Sequence, residues 1–257
     1  MSIGWLDSHV HLMDDSLLLQ IDDVIERAKA NNIVRIMVIA MTISEIELAI
    51  RLKKKYKMID IAAGFHPVDA HLATENDFQK MEEFIKSGEI AAIGEIGLDY
   101  YWDKTHEKVQ IDVFRRQIEL AIKYDLAVNI HMREATQDVF DIIASYDMQV
   151  RGVMHCYSGS LEMAKAFINK GFLISFGGIL TFKNVNKIVE VAQSIPLDKI
   201  LIETDGPYLT PHPFRGKTNE PMYVKYVGEK LAEIKEMDII TLQSQILSNY
   251  KSLFKLL

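Results

Sequence analysis

The chain has 257 residues, a formal net charge of −7 and one cysteine, and 49% of its residues are hydrophobic. This composition can bury a full core, so it excludes a disordered chain, and no apolar run is long enough to predict a membrane span. The acidic charge disfavours a protein that coats nucleic acid or an anionic membrane by its overall field, and the lone cysteine, Cys156, excludes an internal disulfide and predicts a cytoplasmic location.

Short apolar runs alternate along the chain with longer amphipathic stretches. The runs are, in order, IGWLD, IVRIMVIA, IDIAAGF, IAAIGEI, LAVNIH, VRGVMH, FLISFG and KILIETD. Runs of this length and composition are typical of strands that are buried on both faces of a parallel sheet. We therefore expect eight strands.

The amphipathic stretches predict helices between these strands. Ser44–Glu47 matches a capping box ahead of an apolar stripe, and His106–Tyr124 repeats apolar residues at helical spacing. Pro221 is predicted as the first residue of a helix. A last helix is expected to carry Leu242, Ile246, Tyr250, Leu253 and Leu257.

Eight strand–helix units in a chain of this length predict one (β/α)8 barrel, the TIM barrel, as a single domain over residues 1–257. A doubly wound open sheet is the alternative. It is disfavoured because no G-x-G-x-x-G motif follows the first run.

Ligand-type side chains stand at the ends of several predicted strands. Side chains alternate along a strand, so His9 and His11 of WLDSHVHL point to the same face. In a barrel of this type the site lies at the C-terminal ends of the strands, where such residues converge. The strand ends carry His9 and His11, then His66 in GFHP, Glu95 in GEIGLDYY, His131 in NIHMR, His155 in MHCYSG and Asp205 in ETDGPYL.

Six of these residues predict a metal centre: His9, His11, Glu95, His131, His155 and Asp205. Buried polar groups are costly without partners, and a divalent cation offers a shared partner. Six ligands predict two ions, of magnesium, manganese or zinc, about 3.5–4 Å apart. Glu95 is the expected bridge because a carboxylate has two oxygens.

Seven ordered motifs cover nearly the whole chain: DSHVHL, GFHP, GEIGLDYY, NIHMR, HCYSG, ETDGPYLTP and RGKTNEP. In this order they resemble the TatD family of metal-dependent hydrolases, which is associated with deoxyribonuclease activity. The resemblance implies DNA as the substrate and a metal-activated water, with Glu95 and Asp205 as catalytic residues. It implies one ion held by His9, His11, Glu95 and Asp205, and a second held by Glu95, His131 and His155.

Four further residues are expected to contact the substrate. Arg215 suits a phosphate group bidentately, and Lys217 and Asn219 lie close to it in RGKTNEP. His66 is expected to bind a phosphate group or to orient a neighbour. A solvated loop is the alternative for the RGKTNEP residues, and a structural role beside Pro67 is the alternative for His66.

An aromatic segment, Tyr100–Trp102, offers ring faces on which a base can stack, and Arg133 offers a phosphate contact. Packing within the loop and a plain ion pair are the alternatives. An acidic chain without a basic stripe does not suit tracking along a duplex, so we expect single-stranded DNA or chain ends, cut exonucleolytically. We expect no membrane and no obligatory protein partner.

Three other functions fit parts of the pattern. A barrel hydrolase acting on an ester, lactone or amide, or a deaminase, would use similar ligands, and Glu134 lies three residues past His131 as an acid does in some deaminases. A mononuclear deaminase would not need Glu95 as a bridge. Cys156 as a nucleophile is disfavoured because alternation places it opposite His155. A non-catalytic scaffold would be expected to lack at least one of the six ligand-type residues.

Overall fold

The computed structural model describes residues 3–102 and 104–256. Eight parallel strands follow one another in chain order in a single sheet, which curves into the predicted (β/α)8 barrel. Each predicted run overlaps one strand, and the first, fourth and fifth strands extend beyond the C-terminal ends of their runs. The strands are β1 (Trp5–Val10), β2 (Ile33–Ala40), β3 (Ile59–Ala63), β4 (Ala92–Asp99), β5 (Ala127–Arg133), β6 (Gly152–Met154), β7 (Phe172–Phe176) and β8 (Ile200–Ile202).

Helices surround the barrel and bury their apolar faces against the strands. On the fifth helix, for example, Phe114 and Ile118 are fully buried. No described helix is both long and apolar enough to cross a membrane. The helices are α1 (Asp15–Leu18), α2 (Ile21–Ala30), α3 (Ile43–Lys55), α4 (Glu75–Lys86), α5 (Glu107–Lys123), α6 (Thr136–Ala144), α7 (Leu161–Asn169), α8 (Asn186–Ser194), α9 (Val224–Lys235) and α10 (Ile239–Phe254).

Helix α3 begins before the predicted capping box. Thr42, not Ser44, is its cap, and the Thr42 hydroxyl accepts a hydrogen bond from the Glu45 N–H. The Glu45 carboxylate accepts a hydrogen bond from the Met41 N–H at 2.7 Å. The predicted cap was wrong by two residues because two hydroxyl residues precede the apolar stripe, and only the first has extended backbone.

The start of α9 also differs from the prediction. Pro221 opens a short 3₁₀ turn, Pro221–Tyr223, and the α-helix begins only at Val224. The last helix carries the predicted buried residues Leu242, Ile246, Tyr250 and Leu253. The predicted Leu257 lies outside the described residues.

The barrel closes between β1 and β8, where little regular pairing is available. An isolated bridge joins Val10 to Gly206, and the Asp205 N–H donates to the His9 carbonyl at 3.0 Å. The buried Asp7 carboxylate accepts hydrogen bonds from the Thr204 N–H and hydroxyl at 2.9 and 2.5 Å. Burial raises the pKa of Asp7 to about 8. This seam holds the end of β1 beside the segment that follows β8.

A second buried polar network lies near the start of β3. Asp60 accepts hydrogen bonds from Arg35 of β2 at 2.9 Å and from the Tyr250 hydroxyl of α10 at 2.8 Å. Burial of Asp60 raises its pKa although Arg35 opposes that shift. The network therefore ties the last helix to two strands of the barrel.

We expect Tyr250→Phe to lower the free energy of unfolding by about 1–3 kcal/mol, because it removes one donor from a buried carboxylate. Denaturant unfolding measures this change. Tyr226→Phe is the matched control, since this half-buried hydroxyl has no hydrogen bond within the described part of the chain. Equal stabilities of the two variants would contradict the proposed contribution of the network.

Candidate metal centre

Glu95, midway along β4, is buried, and its two carboxylate oxygens face different imidazoles. Oε1 lies 2.7 Å from His131 Nδ1 and 2.9 Å from His155 Nε2. Oε2 lies 3.5 Å from the Nε2 atoms of both His9 and His11. A carboxylate that bridges two ions needs this division of its oxygens between two groups of ligands.

Asp205 follows β8 and joins the His9 side of this arrangement. Its Oδ1 lies 3.5 Å from His11 Nε2 and 3.8 Å from His9 Nε2. The two histidine Nε2 atoms are 3.2 Å apart. The ligand atoms of all three residues lie within 4.8 Å of one another, so they can share one cation. The structure thus brings all six predicted ligand residues to one site.

Three of the imidazoles have an acceptor at the nitrogen that points away from Glu95 or Asp205. The pairs are His9 Nδ1 with Asn129 Oδ1 at 3.0 Å, His131 Nε2 with Asp99 Oδ2 at 2.9 Å, and His155 Nδ1 with Glu203 Oε1 at 3.1 Å. An acceptor there holds the N–H on the outer nitrogen and leaves the inner lone pair for a cation. The donor set therefore fits a divalent metal ion.

The charges of the centre depend on one another. Burial disfavours the charged form of His155, but the Glu95 and Glu203 carboxylates on its two sides raise its pKa well above the usual value. Burial likewise disfavours ionised Glu95, but the surrounding imidazoles hold its pKa well below the usual value. A bound cation would replace the protons that now offset these carboxylates.

His66 has a different hydrogen-bond pattern. Its Nε2 lies 3.7 Å from Glu95 Oε1, and its ligand atom lies within 4.8 Å of those of Glu95 and His131. The Val68 N–H donates to His66 Nδ1 at 3.3 Å, which places the proton of the neutral ring on Nε2. Burial lowers the pKa of His66 to about 4, so the ring is neutral. This tautomer favours a hydrogen-bond donor over a metal ligand, and the predicted substrate contact stays a prediction.

Asn219 has a structural role in the loop that carries Asp205, and its predicted contact with the substrate stays a prediction. It is fully buried, and its Nδ2 donates to the carbonyl oxygens of Thr204 and Tyr208 at 2.7 and 2.6 Å. Both amide protons are therefore used to hold the loop that carries Asp205.

Arg215 and Lys217 are exposed and do not line the cavity above the metal centre. The Arg215 Cζ lies 3.6 Å from the centre of the Phe182 ring, and the Lys217 Nζ lies 5.3 Å from that of Phe214. Their predicted contacts with the substrate stay predictions.

A cavity of about 690 Å³ opens over the ligands, which is large enough for a nucleotide. Its walls carry Trp102 and Arg133, for which the sequence left a substrate contact open, and the exposed Tyr208, which sequence analysis left out of the site. Burial and the carboxylates of Asp205 and Glu203 raise the pKa of the Cys156 thiol well above its usual value, which disfavours a thiolate at this position.

Gly97 is needed for the close approach of β4 and β5 beside the centre. Its φ is +145°, and a Cβ at this position would lie 1.9 Å from the carbonyl oxygen of His131. A side chain here would push β5, and with it His131, away from Glu95.

The model of the family described as TatD related DNase matches residues 6–255 of the chain. The chain belongs to the TatD family. The uncharacterized metal-dependent hydrolase YabD of Bacillus subtilis (strain 168) is 46% identical over 251 residues, which is 97% of this chain and 98% of that protein. The uncharacterized metal-dependent hydrolase YcfH of Escherichia coli (strain K12) is 32% identical over 97% of this chain and 95% of its own length.

A solved structure of a relative supports the same conclusion. The crystal structure of YjjV, a TatD homolog from Escherichia coli K12, matches with a TM-score of 0.93 at 26% identity over 99% of each chain. The predicted family and barrel are therefore confirmed, and the chain is a metal-dependent hydrolase of the TatD family.

We expect Glu203→Gln to weaken metal binding by about 10–100-fold, because the amide no longer supplies the charge that orients His155. In the wild type the Cys156 N–H donates a hydrogen bond to the Glu203 carboxylate at 2.6 Å. The amide oxygen of the variant can still accept this hydrogen bond, so the fold should persist. Calorimetric titration with Mn²⁺ measures the affinity, and thermal unfolding checks the fold. Glu190→Gln, an exposed change on α8, is the control; equal affinities in the two variants would contradict this role.

Proposed function

We propose that the chain is a deoxyribonuclease that uses two divalent ions to hydrolyse phosphodiester bonds, acting exonucleolytically on single-stranded DNA or chain ends. The observation that carries the proposal is the division of the Glu95 oxygens, one facing His131 and His155 and the other facing His9 and His11. The name of the matching family, TatD related DNase, supports DNA as the substrate class.

In this proposal the ligands fall into two sets that share Glu95. His9, His11, Glu95 and Asp205 would hold one ion, of magnesium, manganese or zinc, and Glu95, His131 and His155 would hold the other. Two ions bound in this way lower the pKa of a water molecule and offset the charge that develops on a phosphoryl oxygen.

The side chains around the ligands supply the remaining chemistry. Burial opposes ionisation of Asp205, but its hydrogen bond to His11 and the neighbouring imidazoles lower its pKa, so it is ionised and accepts the proton of the attacking water. The Nε2–H of His66 is proposed to donate to a phosphoryl oxygen. Arg215 and Lys217 are proposed to contact phosphates further along the strand. A cytoplasmic location and the lack of an obligatory protein partner stay predictions from the sequence.

The test is turnover by chain reconstituted with Mg²⁺, Mn²⁺ or Zn²⁺ and offered end-labelled single-stranded DNA, neutral esters, lactones and nucleosides in parallel. We expect release of mononucleotides from DNA, loss of this activity in chelator and its return with metal. Clear turnover of an ester, lactone or nucleoside, with no cleavage of nucleic acid under any metal, would overturn the nuclease and leave the metal-dependent hydrolase.

We expect Glu95→Gln to lower the rate of DNA cleavage by about 100-fold or more while the fold survives, because the amide cannot hold two cations together. Initial rates at saturating metal measure the loss, with Glu134→Gln as the control because Glu134 is exposed and does not line the cavity. Near wild-type turnover in Glu95→Gln would show that Glu95 does not bridge two ions.

A further inference from the structure

Trp102 and Arg133 line one wall of the cavity, and together with the neighbouring Tyr101 they form a group of residues that we call the shelf. The Arg133 Cζ lies 3.9 Å from the centre of the Tyr101 ring and 5.3 Å from that of Trp102. The two aromatic rings meet edge to face, with centroids 5.0 Å apart. Trp102 is nevertheless 65% exposed, so packing within the shelf leaves most of its surface uncovered.

The shelf is fixed to the metal centre by one carboxylate. Asp99 Oδ1 accepts hydrogen bonds from the N–H groups of Tyr101 and Trp102 at 3.0 and 3.1 Å. Its other oxygen, Oδ2, accepts from His131 Nε2 at 2.9 Å. The position of the aromatic pair is therefore coupled to the position of a candidate ligand.

Arg133 brings a positive charge into a cavity whose floor is acidic. Its guanidinium forms no ion pair with an acid of residues 3–102 or 104–256, and it lines the cavity together with Trp102. An arginine fork without an acidic partner among the described residues suits the phosphate of a ligand. An exposed indole face beside it suits the planar ring of a base.

We propose that the shelf binds an unpaired nucleotide of the substrate, with Trp102 stacked on its base and Arg133 bound to its phosphate. The inference rests on the proposed nuclease function and narrows its substrate. A base inside a duplex is covered on both faces by its neighbours, so only a single strand or a frayed end can offer a face to Trp102. The shelf thus selects unpaired bases without reading their sequence.

The test compares two pentanucleotides that resist cleavage because every linkage is a phosphorothioate. One carries thymine bases, and the other carries abasic tetrahydrofuran residues. Calorimetry with the metal-loaded protein gives each affinity, and quenching of tryptophan fluorescence reports on Trp102, since Trp5 is only 5% exposed. We expect wild type to bind the thymine pentamer about 5- to 150-fold more tightly than the abasic one.

Substitutions separate the two halves of the shelf. Trp102→Leu should lower the affinity for the thymine pentamer to that for the abasic one, and Trp102→Phe should retain most of the difference. Arg133→Gln should weaken both pentamers by a similar factor. Ile240→Ala, which changes a residue that is also 65% exposed but does not line the cavity, should leave both affinities unchanged.

Equal wild-type affinities for the two pentamers, or an equal effect of Trp102→Leu on both, would overturn the shelf. Cleavage of an ordinary oligonucleotide is measured separately. Cleavage of DNA without base-dependent binding would overturn the proposed role of the shelf but leave the proposed nuclease function standing. Base-dependent binding through Trp102 without cleavage would support the proposed role of the shelf but overturn the proposed nuclease function.

Discussion

The site depends on a buried negative charge that no lysine or arginine of the described chain offsets by an ion pair. Glu95 is 2% exposed, and its ion-pair partners within residues 3–102 and 104–256 are all imidazoles. A carboxylate in such a place is protonated unless positive charge lies close to it. Because each barrel strand delivers only one or two side chains to its C-terminal end, several strands must supply those partners. The buried carboxylate of Glu95 therefore needs positive charge close to it, and the closed barrel brings together the side chains that supply that charge.

The barrel seam shows how the fold meets this constraint. No regular pairing joins β1 to β8 within the described residues, and the one bridge there joins Val10 to Gly206, beyond the end of β8. A cation shared by His9 and Asp205 nevertheless requires these two side chains to lie close together. The Asp7 carboxylate accepts hydrogen bonds from both the N–H and the hydroxyl of Thr204, and the His9 carbonyl accepts one from the Asp205 N–H. These contacts fix the ends of the two strands before any ion binds, so the ligands are largely preorganised.

Much of the fold, and the convergence of the six ligand-type residues, could be predicted because both follow from local patterns. The period of two along WLDSHVHL places His9 and His11 on one face, and the alternation of runs and amphipathic stretches predicts the barrel. The same period could have found Asn129 and Glu203, which stand two residues before His131 and Asp205. Their partners are the imidazoles of His9 and His155, which lie in distant parts of the sequence, so their roles could be recognised only from the three-dimensional arrangement.

The loops were harder to predict because their side chains have several possible partners. Asn219 and Arg215 lie close together in RGKTNEP, but one is buried as a hydrogen-bond donor to the backbone and the other packs on Phe182. The sequence left Arg133 open between an ion pair and a phosphate contact. The absence of an acidic partner for Arg133 among the described residues favours the phosphate contact.

The proposed bridging role of Glu95 is tested most directly by the electron paramagnetic resonance spectrum of the chain loaded with Mn²⁺. Two ions that share a carboxylate lie about 3.5–4 Å apart, so their spins couple. We predict the spectrum of an exchange-coupled pair for wild type and that of isolated ions for Glu95→Gln. A wild-type spectrum of isolated Mn²⁺ at saturating metal would contradict a two-ion centre bridged by Glu95.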